Sequence, residues 1–195
     1  MSGGPTVTPQ PDGGLRIGNL SPWFTQTLLE LDELLDPNQP EKVKRRLYPM
    51  PSDDETQRED WERLVHPDLR ALVASAREIV NEDLKGLQAG LGLPRRKTAE
   101  EIAEDEADGE EDDGGWVAQV GWHLDVPANH VQAWISALQT ARLTLAELHG
   151  VGERESRELD IDPEDPVSMA IARMQTYAWL LELILERVDP ELRSD

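Results

Sequence analysis

Apolar side chains fill every even position from Trp116 through Ala118, Val120, Trp122 and Leu124 to Val126, with Gln119, Gly121, His123 and Asp125 between them. A period of two marks a half-buried strand, so the alternation predicts one over 116–126. Leu15, Arg16 and Ile17, after Gly13 and Gly14, alternate in the same way and predict a short strand to pair with it. Past Pro127 the period changes. Val131, Trp134, Ile135, Leu138, Ala141, Leu145 and Leu148 recur at helical spacing until Gly150, predicting a helix over 127–149.

The same spacing marks four further helices. Ser21 and Pro22 form an N-cap and first-turn pair for a helix carrying Phe24, Leu28, Leu31 and Leu35, ending near Asp36. Ser52 and Glu55 read as a capping box ahead of Trp61, Leu64 and Val65. Pro67 starts or kinks the next helix, whose stripe is Leu69, Leu72, Val73, Ala76, Ile79, Val80, Leu84 and Leu87, with Gly90 and Gly92 as its stop. Asp165 and Pro166 open the last helix, which holds Ala170, Ile171, Met174, Tyr177, Leu181 and Leu185 on one side and Trp179, Leu180 and Leu183 on others. A helix apolar on most sides is expected to be buried on most sides, here against the 127–149 helix. The expected fold is mainly α: a compact bundle of about five helices with a small two-stranded β element.

The expected organisation is a disordered tail over 1–14, one helical domain formed by 15–93 and 116–190, and an acidic flexible insertion over 94–115. The insertion opens with Arg95, Arg96 and Lys97 and a capping box at Thr98 and Glu101, then holds ten carboxylates between residues 100 and 113. Its aspartates before Gly109 resemble a calcium loop, but Gly115 stands where the bidentate Glu must be, so the spacing fails.

Charge narrows the function classes. The net charge of −21 repels phosphate backbones and anionic lipid, and it favours basic protein partners. The chain has no cysteine, which excludes disulfides, thiolate metal sites and thiol redox sensing. The first residues lack the features of a signal peptide, and Tyr177–Leu181 is far too short to cross a bilayer, so a cytoplasmic protein is expected.

Few residues offer chemistry. His123 and Asp125 share one strand face and His130 lies just beyond, so three metal ligands converge if the corner between strand and helix is tight. Lys42, Lys44, Arg45 and Arg46 form a basic island able to touch nucleic acid, or a solvated helix face. Gly90 and Gly92 follow a helix and do not precede one, unlike a phosphate loop, and no nucleophile elbow exists around Ser136 or Ser168. Arg142 falls inside the apolar stripe of its own helix. It either pairs with Glu182 on the last helix or snorkels at the bundle edge. No catalytic residue and no cofactor site is expected.

The run Ala133–Leu145, AWISALQTARLTL, resembles a bacterial family of domains of unknown function that includes the mycobacterial oxidative-stress regulator AosR. Arg16–Pro22, Asp60-Trp61 with Pro67-Asp68-Leu69, and Tyr177–Glu182 resemble its first strand and helix, its middle helix and its closing helix. Gln139 stands where many members have Asn. The resemblance implies a compact helical cytosolic domain without enzymatic activity, acting through a protein partner such as a transcription factor. The absence of cysteine removes thiol sensing from what carries over. The leading expectation is therefore a non-enzymatic interaction or regulatory protein, in transcription or stress response. The alternatives are a metal-binding protein or metal-dependent hydrolase using His123, Asp125 and His130, and a direct DNA-binding regulator using the basic island.

Overall fold

The computed structural model describes residues 4–52, 54–89, 122–151 and 162–188. Residues 116–121 of the expected strand, the whole 94–115 insertion and the Gly90–Gly92 stop lie outside the described residues. Five helices of eight residues or more and a small antiparallel sheet make up the fold.

The sheet has three strands where two are expected. Strand β1, Thr6–Pro9, falls in the segment read as a disordered tail and pairs antiparallel with β2, Leu15–Leu20, with Val7 opposite Ile17. The turn between them rests on two glycines. Gly13 has φ +84°, a left-handed conformation that side chains resist, and a Cβ at Gly14 would sit 2.7 Å from the carbonyl oxygen of Val126. On its other edge β2 pairs with β3, Trp122–Val126, Leu15 facing Val126 and Ile17 facing Leu124. Leu15, Ile17, Leu124 and Val126 point into the core while Arg16, His123 and Asp125 point out, as the alternation requires. The register shifts between Ile17 and Leu20, where Asn19 adopts φ +56°.

Helix α1, Pro22–Leu29, starts as predicted, with the Ser21 hydroxyl accepting from the Phe24 N–H. It is shorter than expected. The backbone relaxes at Glu30, φ −73° and ψ −11°, where the side chain reaches Arg173, and a four-residue α2, Leu31–Leu34, completes the segment. Helix α3, Glu41–Leu47, carries the basic island and buries Val43. Its Lys42 ammonium donates to the carbonyl of Leu148, a cationic cap on the end of another helix.

Helix α4, Glu55–Leu64, is capped by Asp54 in place of Ser52: the Asp54 carboxylate accepts from Gln57 N–H, and the Ser52 hydroxyl accepts from Asp54 N–H. A carboxylate next to the first turn also meets the helix dipole, which a hydroxyl does not. None of the residues of α4 is buried. Helix α5, His66–Ala89, follows almost at once, with Pro67 in its first turn. Ala76, Val80, Leu84 and Leu87 of its stripe enter the core, but Leu72 stays 59% exposed.

Pro127 and a 3-10 turn, Ala128–His130, lead into α6, Val131–His149. Gly150 closes it at φ +64°, and the Val151 N–H returns to the Ala146 carbonyl. Helix α7, Pro166–Val188, is capped by Asp165, whose two oxygens accept from the N–H groups of Val167 and Ser168. Among the described residues the α6–α7 contact is the most extensive between any two elements. Trp134, Leu138 and Ala141 of α6 and Ala170, Tyr177 and Ile184 of α7 are shut off from solvent, with Ile17 and Leu28 closing the core. No helix of the described residues is long and apolar enough to cross a membrane.

Candidate functional site

The structure keeps His123 and Asp125 side by side and sends His130 elsewhere. Asp125 is held across the sheet by Arg16, Nε at 2.6 Å from one oxygen and Nη2 at 2.9 Å from the other, as an opposite-charge cross-strand pair. The Arg16 hydrogen bond and charge keep the Asp125 carboxyl below the ordinary range. His123 Nε2 lies 3.9 Å from Asp125, and both side chains are half exposed. His130 turns away to Asp83 of α5, its Nδ1 at 2.9 Å from that carboxylate. The 3-10 turn after Pro127 rotates His130 off the strand face, so the tight corner that convergence needs does not form. Among the described residues no group of three or more His, Asp or Glu is placed to hold a metal ion.

The Arg142–Glu182 pair is also corrected. Glu182 lies on the exposed side of α7, while the Nε of half-buried Arg142 is shut off from solvent without a hydrogen-bond partner. No hydrogen bond or ion pair joins the two side chains. Arg173 makes the cross-helix pair instead, its Nε and Nη2 each 2.9 Å from an oxygen of Glu30. Burial, opposed by Arg173, raises the Glu30 carboxyl above its ordinary range. One turn along, the buried Tyr177 hydroxyl donates to the Thr27 carbonyl at 2.6 Å, and burial pushes the phenol well above its usual range.

A polar cluster inside the fold carries no sequence motif. Asp83, its side chain 7% exposed, accepts from the Trp134 indole N–H at 2.8 Å as well as meeting His130. It ties α5 to α6.

A large concave surface lies elsewhere, between α1, α7 and the chain leading into β1. This groove, of about 660 Å³, is lined by Trp23 and Phe24 of α1, Met169, Ala172 and Trp179 of α7, and Pro163 before it. Phe24 and Trp179 meet edge to face, ring centres 5.6 Å apart, and Gly4 and Pro5 close one side. Gln175 and Thr176 are the polar side chains in its wall, and neither titrates. Exposed Asp162, Glu164 and Asp165 stand around Pro163 at one end. Helix α7 is buried along most of its apolar residues, and half-buried Trp179 turns part of its ring into the groove. Trp23 and Trp179 both lie off the main stripes of their helices, the signal by which sequence reasoning could have singled them out.

The fold is thus a mainly helical domain built on an α6–α7 pair with a three-stranded sheet, and its most distinctive surface is an aromatic groove. Residues 20–188 match the family described as Domain of unknown function (DUF2017), and the chain belongs to that family. No curated protein and no solved structure matches the chain.

Proposed function

We propose that this chain is a non-enzymatic interaction protein of the cytosol that docks an apolar segment of a protein partner in the groove between α1 and α7. The observation that carries the reading is the groove itself. It gathers exposed Trp23 and half-buried Phe24 and Trp179, residue types that dominate interface energetics, along one wall-lined channel. Ligand pockets enclose most of a small molecule, whereas an open channel between helices suits an amphipathic helix laid along it. The carboxylates around Pro163 and the charge of −21 favour a partner segment with basic residues beside its apolar face.

The resemblance to the regulator AosR, which acts with a sigma factor, extends the proposal to transcription or stress response. Its redox signal does not extend, since there is no thiol to oxidise. The test is affinity capture from a lysate of the source cells with the wild-type chain, a Trp23→Ala/Trp179→Ala variant and a Leu72→Ser control. The expected result is a set of proteins held by the wild type and the control and lost by the groove variant, with equal helical content in all three. An identical set from all three would overturn the reading.

A further inference from the structure

We propose that α1 is a movable wall of the groove, swinging away from α7 between joints at Ser21 and Glu30 while α2, α6 and α7 stay packed. That the motion admits a partner segment rests on the docking reading above; the motion itself does not. The two short helices on either side of Glu30 are held very differently. Glu30 is the last cap of α1 and the first cap of α2, so the chain changes element at a single residue. Beyond it Leu31, Leu34 and Leu35 are buried, and Arg77 of α5 stands 2.7 Å from Asp32 and 3.1 Å from Asp36. Before it, α1 buries one aliphatic side chain, Leu28, together with Thr25 and Thr27, each 1% exposed. Neither threonine hydroxyl has a hydrogen-bond partner among the described residues. A shielded hydroxyl left unpaired favours the undocked helix, where water satisfies it.

The ties from α1 to α7 lie in one line. Phe24 meets Trp179, the Thr27 carbonyl accepts from Tyr177, and Glu30 pairs with Arg173, three contacts that ascend α1 as they descend α7. Two of the three are directional polar contacts, which a small displacement breaks. Burial raises the Glu30 carboxyl, so its charge is also held out of water at a cost. An element with few apolar anchors and several groups that favour solvent is where a fold opens locally, and hinges of this kind turn on a few residues at element ends. Trp23 and Phe24 ride on α1, so its swing changes the width of the groove while Met169, Ala172 and Trp179 stay in place.

The test is amide hydrogen exchange of the full-length chain in sub-denaturing urea, with the amides of Thr25–Glu30 read against those of Trp134–Leu145 in α6. The wild-type α1 amides are expected to exchange at least about a hundredfold faster than those of α6, and nearly independently of urea, because a local swing exposes little surface. Exchange in α6 is expected to rise steeply with urea. Thr25→Val/Thr27→Val is expected to slow α1 exchange about tenfold, by removing the unpaired hydroxyls, and Arg173→Gln to speed it about tenfold. One rate and one urea dependence for α1 and α6 would overturn the proposal, since α1 would then open only with the whole fold. So would α1 exchange that neither variant moves. Lysate capture that fails while α1 opens as described removes the docking reading alone, and capture that succeeds with α1 exchanging in step with α6 removes the hinge alone.

Discussion

The indole N–H of Trp134 donates to the carboxylate of Asp83 at 2.8 Å, joining α6 to α5 through a polar contact inside the core. Trp134 is fully buried, so its N–H has no water to turn to if the acceptor is removed. Asp83→Leu is expected to destabilise the fold by about 1–3 kcal/mol, and Asp83→Asn by less, because the amide keeps an acceptor. Denaturant unfolding followed by tryptophan fluorescence measures both. Equal losses would contradict the acceptor role.

Tyr177 is the matching tie on the other side of the core. Its hydroxyl meets the Thr27 carbonyl at 2.6 Å, fixing α1 against α7 and with them the two walls of the groove. Tyr177→Phe is expected to cost about 1–2 kcal/mol, since a buried carbonyl loses its donor. Thermal unfolding would show it, and a change of a few tenths would deny the bond a structural role.

Arg142 and Glu182 are expected to act independently. Replacing Arg142 by Leu removes a shielded Nε without a partner, so the substitution should be neutral or stabilising by up to about 1 kcal/mol. In a double-mutant cycle with Glu182→Leu the coupling should stay below about 0.5 kcal/mol. A larger coupling would mean that the two side chains meet.

Acid stability should depend on Asp32. The Arg77 hydrogen bond, helped by Asn81, holds its carboxyl below the ordinary range, and Arg77 reaches Asp36 as well, at 3.1 Å. A carboxyl depressed in the folded state contributes stability above its unfolded pKa and loses it as pH falls through the folded value. Asp32→Asn should therefore be less stable than the wild type at pH 7, by about 1 kcal/mol or less for so exposed a pair. The gap should narrow as the pH falls below the ordinary carboxylate range. Glu30 runs the other way. Its raised carboxyl costs stability when ionised, and that cost is relieved as pH falls. A difference that persisted at pH 2 would contradict the Asp32 account.

What could be read from the sequence follows the range of each interaction. The alternation of Leu15, Arg16 and Ile17 against Leu124, Asp125 and Val126 contains the β2–β3 register, and the Arg16–Asp125 pair follows from it. The ends of α6 and α7 are written locally in Gly150 and in Asp165-Pro166. Strand β1 escaped because Thr6–Pro9 lies among glycines and prolines, and its strand character comes from pairing with β2. Arg142 was placed correctly on its helix and matched to the wrong neighbour, since periodicity gives a side chain's angle about its own axis but not the face opposite. The groove was legible only as two tryptophans off their helix stripes, for a related reason. Trp23, Trp179 and Gly4 are far apart in the chain, and an aromatic on a helix reads as core until the neighbouring elements leave it uncovered.

The central claim is that the α1–α7 groove receives a protein partner, and a photo-crosslinker in place of Trp23 tests it where it is made. With benzoylphenylalanine at position 23, irradiation in the source cells is expected to yield a discrete adduct with a second protein. Adding Trp179→Ala in the same chain should abolish it. No adduct from position 23, or one indifferent to Trp179, would contradict the claim.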